Sequence, residues 1–326
     1  MLDDKKIKNY SRIGARATFG LVALELGETI DNLMILTADV STSAGLDRFR
    51  KAYPEKYLDV GIAEQNLIAV AAGLASEGYK VVTTTFAPFQ TMRCCEQIKV
   101  NLGYMGHDVC MVGLASGVVL GALGYTHCCI EDLSIMRSIP GLTVLSPADC
   151  GATAKTIKAA IEIEGPVYVR LTGGARSDMV YTSDFDFEVG RIIELKPGKE
   201  IALLATGSMV AASLKAADFV EAKLNVSVAV YDVHSIKPID VEIIKTVALT
   251  CTLMVTIEAL SIVGGLGAAV SEVKTQIPRA APQLLFGLAD DYGHGGDYSD
   301  LLKSAGLTPE SIADNVVSQF NSLGLG

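Results

Sequence analysis

The chain has 326 residues, enough for one large or two medium domains, and half of them are hydrophobic, so a sizeable core can form. The formal net charge of −10 argues against nucleic acid and anionic membranes as partners. The charged start, residues 1–16, lacks the apolar segment of a secretory signal, and the seven cysteines form no C-x-x-C pair. A reduced, cytoplasmic protein is therefore expected.

The first half of the chain alternates short apolar strands with helical segments. We predict strands at residues 33–37, 56–60, from 81, 108–112, 143–145 and 167–171. We predict helices at residues 16–26 (closed by Gly27), 63–75, around 94, 130–137 and 150–164. Because strands alternate with helices, this sheet should be parallel and covered on both faces.

A second α/β unit follows a polar stretch rich in Gly, Asp and Ser. Its predicted strands are residues 201–205, 226–231, 253–257 and 284–286, with helices beginning after Ser208, Asp240 and Gly267 and a helical tail from 301 to 320. We therefore expect an α/β fold of two domains, each a mostly parallel sheet with helices on both faces. The boundaries are residues 1–172, a linker at 173–190, and residues 191–326.

Glu64 lies where a predicted strand turns at Gly61 and enters an Ala-rich helix. In an open α/β sheet, ligands bind at this carboxyl edge of the strands. The simplest interpretation is an acid that complements the helix dipole, worth roughly 0.3–1 kcal/mol. One strand later, Phe86 and Phe89 end a strand, and two aromatic rings beside a carboxylate could form a flat apolar slot.

The motifs occur in an order that identifies a family. They are Gly-Ile-Ala-Glu-Gln-Asn at 61–66, Thr-Phe-Ala-Pro-Phe at 85–89, Thr-His-Cys-Cys-Ile-Glu-Asp at 126–132, Arg-Ser-Ile-Pro-Gly at 137–141 and Ser-Pro-Ala-Asp at 146–149. This set resembles the pyrimidine-binding half of transketolases. The resemblance runs from about Arg16 to the C-terminus, and the chain length matches the separate C-terminal subunit of split transketolases.

The resemblance implies thiamine diphosphate as the cofactor. Residues 1–172 would be the pyrimidine-binding domain and residues 191–326 the transketolase C-terminal-like domain. Glu64 matches the acid that engages the ring nitrogen N1′ of the aminopyrimidine, and a carboxyl in an apolar pocket can share a proton with that nitrogen. Phe89 matches the residue that stacks on the pyrimidine, and Phe86 lines the same slot. The alternative is that both rings belong to the hydrophobic core and bind no cofactor.

Further residues match site positions of the family. Asp39 matches an acid near the cofactor, and His127 a catalytic loop histidine that contacts a substrate oxygen. Arg16 and Ser43 match a phosphate-binding pair for a sugar phosphate, and Arg170 a second phosphate-binding arginine. Each could instead be a surface charge or a loop cap.

Two positions depart from the usual family pattern. Leu123 replaces an Asp that holds a substrate hydroxyl, and Ala115 falls where many members have another His. A site without these polar groups should prefer a different sugar or acceptor, because unpaired polar groups on a substrate are costly to bury.

The chain also lacks the Gly-Asp-Gly that, in thiamine diphosphate enzymes, holds the diphosphate through Mg²⁺. The Gly-Gly-Leu-Gly at 264–267 fits a nucleotide fingerprint poorly, because Val270 stands where a small residue is needed, so we interpret it as close strand–helix packing. The resemblance therefore implies an N-terminal transketolase subunit as partner, in an α2β2-type heterotetramer.

The predicted activity is transfer of a two-carbon ketol unit from a ketose to an aldose. Three alternatives remain open: the β-subunit of a 2-oxo acid dehydrogenase, a non-catalytic binding or regulatory protein on the same fold, and a cysteine nucleophile at Cys128 beside His127.

Overall fold

The computed structural model describes residues 2–173 and 178–324, which form two α/β units. The first unit contains strands β1 to β6, namely Leu33–Thr37, Tyr57–Asp59, Lys80–Phe86, Val109–Leu114, Thr143–Leu145 and Val167–Arg170. Its helices α1 to α8 are Asp4–Ile13, Ala15–Thr29, Asp47–Ala52, Glu64–Ser76, Ala87–Gln90, Cys95–Gln97, Asp132–Ser138 and Cys150–Ala160. A π-helix, Ile98–Tyr104, continues α6, and short 3-10 turns occur at Pro54–Lys56 and Gly121–Leu123.

The second unit contains strands β7 to β12, namely Ile193–Lys196, Ile201–Ala205, Val228–Asp232, Ser235–Lys237, Leu253–Ser261 and Gln283–Leu288. Its helices α9 to α13 are Met209–Leu224, Val241–Thr250, Leu266–Lys274, Tyr298–Ser304 and Pro309–Ser322. The predicted α/β class, with two mostly parallel sheets and helices on both faces, is confirmed.

The first sheet has the strand order β10-β5-β6-β4-β3-β1-β2 and is parallel except for its β10 edge. Its central strands are buried on both faces; β4 is accordingly apolar along its whole length, whereas β3 also buries three threonines, Thr83, Thr84 and Thr85. One face packs against α1, α2 and α8, and the other against α4, α7 and the π-helix. The second sheet has the order β12-β11-β8-β9-β7, with only β7 antiparallel.

The two units share a continuous core. Strand β10 comes from the second unit in sequence but pairs with β5 of the first sheet. The apolar cluster on that side includes Val144 and Tyr168 of the first sheet together with Ile236 and Leu266 of the second unit. The predicted linker at 173–190 connects two units that are packed together, and its residues 174–177 lie outside the part of the chain that is described.

One predicted helix boundary was wrong for an identifiable reason, and some elements were not predicted. Helix α2 does not stop at Gly27 but continues to Thr29, and this glycine instead permits close packing, since a Cβ there would lie 2.6 Å from the Tyr53 ring. Helix α1, capped by the Asp3 side chain on the Lys6 amide at 2.7 Å, and the short strands β7 and β10 were not predicted.

The Gly-Gly-Leu-Gly turn is a site of close packing, in agreement with the sequence interpretation. A Cβ on Gly265 would lie 2.0 Å from Oε2 of Glu258, and the Glu258 carboxyl accepts hydrogen bonds from the amides of Leu266 and Gly267 at 2.7 and 2.9 Å. Burial raises the pKa of Glu258 to about 7, and these amide donors only partly oppose it. The Glu258 side chain, from the same unit, therefore fills the space at the Gly-Gly-Leu-Gly turn.

Candidate functional site

The candidate site residues lie at the carboxyl edge of the first sheet. Strands β1, β2, β3 and β4 run parallel and end in the segments that carry Asp39, Glu64, Phe89 and Ala115. Because the carboxyl ends of parallel strands meet at one edge, residues distant in sequence come together there.

Glu64 is the first residue of α4 and is only 5% exposed. The turn before it is made by Gly61, whose positive φ of 74° suits glycine. No side chain caps this helix at Ala63, so Glu64 is the acid that meets its positive end. Its Oε1 accepts a hydrogen bond from Nη1 of Arg93 at 2.7 Å, and the Arg93 side chain is 42% exposed.

An aromatic cluster lies beside this carboxylate. The Phe89 ring meets the Phe86 ring edge-on at 6.4 Å and the His127 ring edge-on at 5.4 Å between centroids. The guanidinium carbon of Arg93 lies 4.0 Å from the Phe89 centroid. The structure therefore brings Glu64, Phe89, Phe86 and His127 together, and it adds Arg93, whose role the sequence did not reveal.

Asp59 connects the two turns on either side of the site. Its Oδ1 accepts hydrogen bonds from the amides of Asp39 and Gly61, each at 2.9 Å. Its Oδ2 accepts from Thr37 Oγ1 at 2.9 Å and Tyr57 Oη at 3.0 Å. Partial burial acts to raise the pKa of Asp59, but these four hydrogen bonds outweigh it and hold the pKa below its usual range.

The predicted cofactor acid Asp39 is exposed and has a positive φ of 58°, which is uncommon for a residue other than glycine. The hydrogen bond from its amide to Asp59 stabilises this conformation. Asp59 lies in the predicted strand 56–60, yet the hydrogen bonds by which it connects the two turns depend on the adjacent strand β1 and could not be inferred from that segment alone.

Arg16 and Ser43 line one cavity of about 480 Å³, together with Ala115, Leu120 and Thr172. The cavity is shaped by a close approach of α2 to the loop after β1, because a Cβ on Gly20 would lie 2.1 Å from the Gly45 oxygen. The predicted phosphate-binding pair is thus brought together, with the small residue Ala115 in the same wall.

Arg170 is placed differently from the other predicted residues. It is 1% exposed, its Nε donates to the Asp132 carboxylate at 2.9 and 3.1 Å, and its Nη2 donates to the Ala259 carbonyl at 3.0 Å. It is not among the residues that line the cavity of Arg16 and Ser43. The guanidinium of Arg170 thus connects the two units, and its role in binding a substrate phosphate stays a prediction from the resemblance.

The loop between β4 and α7 carries His127, whose Nδ1 lies 3.0 Å from the hydroxyl of its neighbour Thr126. Leu123, in the same loop, is 58% exposed, and Ala115 has a positive φ of 53°. Burial, and then the nearby Glu131 charge, raise the pKa of the Cys128 thiol, which opposes its use as a nucleophile.

The chemistry of the site fits an aminopyrimidine. A buried carboxylate, an aromatic face within reach of it and a histidine at the ring edge are the groups needed to bind a flat heterocycle and share a proton with it. Across residues 2–173 and 178–324, no cluster of three or more His, Cys, Asp or Glu side chains could hold a metal ion. Nor does any helix within these ranges have the length and apolar character needed to cross a membrane.

Family models match both units. The model described as "Transketolase, pyrimidine binding domain" matches residues 11–175, and that described as "Transketolase, C-terminal domain" matches residues 190–312.

Curated relatives and a solved structure are similar over nearly the whole chain. An apulose-4-phosphate transketolase subunit of Phocaeicola vulgatus is 34% identical over 92% of this chain and 95% of its own. The 6-deoxy-6-sulfo-D-fructose transketolase subunit SqwH of a Clostridium species is 35% identical over 91% of each chain. A solved structure, described as a split gene transketolase in an inactive beta4 tetramer, has a TM-score of 0.83 and 37% identity, covering 93% of this chain and 96% of its own.

Proposed function

The chain belongs to the transketolase family, and from this premise we propose that it is the C-terminal subunit of a split, thiamine-diphosphate-dependent transketolase. Its reaction is transfer of a two-carbon ketol unit from a ketose to an aldose. The observation that carries the proposal is that the buried carboxylate of Glu64 and the ring of Phe89 both contact one side chain, Arg93, at the carboxyl edge of the sheet.

Four residues would hold the cofactor's pyrimidine end. Glu64 shares a proton at the ring nitrogen N1′, Phe89 stacks on the ring, Phe86 closes the slot, and Asp39 lies at the neighbouring strand end. When bound, thiamine diphosphate supplies the carbon nucleophile that attacks the ketose carbonyl. His127, whose ring lies edge-on to that of Phe89, would donate a hydrogen bond to a substrate oxygen.

The substrate would carry an anionic end group. Arg16 and Ser43 line a cavity large enough for a small sugar derivative, and a guanidinium with a hydroxyl suits a phosphate or sulfonate oxygen. The names of two relatives specify a sugar phosphate and a sulfo-sugar, which have such an end group in common. The apolar Leu123 and Ala115 argue that the sugar differs from the usual family substrates at the hydroxyls near these positions.

The second half of the site would come from a partner subunit. The chain has no Gly-Asp-Gly for Mg²⁺ and diphosphate, and a partner carrying it would complete an α2β2 assembly. Apolar side chains next to the slot residues in sequence support a partner surface, since Ile62 is 78% and Met92 49% exposed. The related beta4 tetramer, described as inactive, agrees with a subunit that needs a second kind of chain.

The test is to purify the chain alone and together with the product of an adjacent reading frame that contains Gly-Asp-Gly. Ketol transfer and 2-oxo acid decarboxylation are assayed with thiamine diphosphate and Mg²⁺. We expect ketol transfer only from the mixture of the two chains. Ketol transfer by this chain alone would refute the proposal that a partner subunit supplies half of the site. Decarboxylation of a 2-oxo acid without ketol transfer would refute the proposed reaction.

A further inference from the structure

The Arg93 guanidinium lies in the slot that the proposed function assigns to the cofactor's pyrimidine. We propose that Arg93 is a removable plug, which occupies this slot by contacting Glu64 and Phe89 and must rotate out of it before thiamine diphosphate binds. The inference rests on the proposed function, since it concerns the same carboxylate and the same ring.

The guanidinium makes both contacts expected of the pyrimidine. Its Nη1 donates to Glu64 Oε1 at 2.7 Å, as an aminopyrimidine would hydrogen-bond to that acid. Its central carbon lies 4.0 Å from the Phe89 centroid, which is a stacking distance. A planar, delocalised cation with fixed donors can imitate a flat heterocycle in this way. A ring that touched both Glu64 and Phe89 would need the same volume.

The side chain is free to leave without disturbing its surroundings. The Arg93 side chain is 42% exposed, whereas that of Glu64 is only 6% exposed, so the plug borders solvent and the carboxylate does not. The Arg93 backbone is held separately, because its carbonyl accepts from Gln65 Nε2 at 3.1 Å. Departure therefore requires only rotation about side-chain bonds, and α4 and α5 can remain in place.

The plug also gives the buried carboxylate of Glu64 a cationic partner. A buried charge without a partner is costly, and Arg93 provides that partner until the cofactor's ring nitrogen replaces it. A purely structural role for Arg93 would predict the opposite effect of its removal on cofactor binding, because the slot would lose its shape.

The experiment measures the Kd of thiamine diphosphate with Mg²⁺, by calorimetry, for the complex with the partner subunit. Arg93→Met keeps a long side chain but removes the donors and the charge. We expect its Kd to fall about 3- to 10-fold, because the fraction of subunits with an open slot rises. Arg93→Lys keeps the charge but lacks the planar guanidinium. Its Kd should lie between that of the unaltered complex and that of Arg93→Met.

The matched control is Arg12→Met, which removes the same charge from an exposed arginine of α1. The cofactor is an anion, so general electrostatics would weaken binding in both variants, and only a plug predicts tighter binding in one. An Arg93→Met Kd that is unchanged or higher overturns the plug while leaving the proposed function intact. Failure of the unaltered complex to bind the cofactor overturns the proposed function and the plug with it.

Discussion

Arg170 Nε lies 2.9 Å from Oδ2 and 3.1 Å from Oδ1 of Asp132, and neither side chain is more than 1% exposed. Tyr168 also donates its hydroxyl to Asp132 at 2.8 Å, and Arg170 reaches the backbone of the second unit at Ala259. These groups satisfy one another's hydrogen-bonding capacity where β6 meets the second sheet. The Arg170–Asp132 pair therefore has a mainly structural role.

Removing one partner of this pair should strongly destabilise the protein. Arg170→Met leaves the Asp132 charge buried without its cation, and we expect the free energy of unfolding to fall by about 3–5 kcal/mol in urea denaturation. The control is Asp178→Asn, which breaks the exposed Lys215 pair at 2.6 Å and should cost less than about 1 kcal/mol. Equal effects of the two changes would contradict the structural role of Arg170.

Glu64→Gln should inactivate the assembled enzyme. The amide has nearly the shape of the carboxyl but cannot share a proton with a ring nitrogen, so kcat should fall by at least about 100-fold. Glu96→Gln, at an exposed acid of α6, is the control and should change kcat less than about 2-fold. The measurement is steady-state ketol transfer at saturating cofactor. A Glu64→Gln complex that retained most of its kcat would favour a non-catalytic role for this fold.

Asp59→Asn should change how stability depends on pH. Because the folded pKa of Asp59 is lowered, the carboxylate stabilises the fold above its unfolded pKa of about 3.9, and this contribution is lost as pH falls through the folded pKa. Urea midpoints should therefore differ between the two proteins at pH 7 and converge below about pH 4. A difference that stayed constant down to pH 3 would show that the charge of Asp59 is not involved.

Two glycine-to-alanine changes should have opposite signs. Gly265→Ala places a Cβ 2.0 Å from Glu258 Oε2 and 2.5 Å from Leu260 Cδ2, and should destabilise by about 1–3 kcal/mol. Gly73→Ala, in the exposed face of α4, meets nothing within 4 Å and should stabilise by about 0.5–1 kcal/mol. Both are read from urea denaturation of the isolated chain. Stabilisation by Gly265→Ala would mean that the turn is looser than its contacts indicate.

The position of Glu64 could be predicted because a strand, a glycine turn and a helix follow one another locally. Its partner Arg93 could not, since the two are 29 residues apart and meet only through the orientation of a long side chain. The same limit explains why the partners of Arg170 could not be predicted, because an arginine at a strand end has the same sequence pattern whether it faces a ligand or the interior. Its partner Asp132 lies 38 residues earlier, on a helix beside the sheet.

The pairing of β10 with β5 has a consequence for expressing fragments of this chain. A fragment that ended between the two family regions would retain β5 but lose the antiparallel neighbour that covers it. Its bare backbone groups would then be free to recruit strands from other molecules, so such a fragment should self-associate. The border between the two matched regions, at residues 175–190, is therefore not expected to divide the chain into separately soluble pieces.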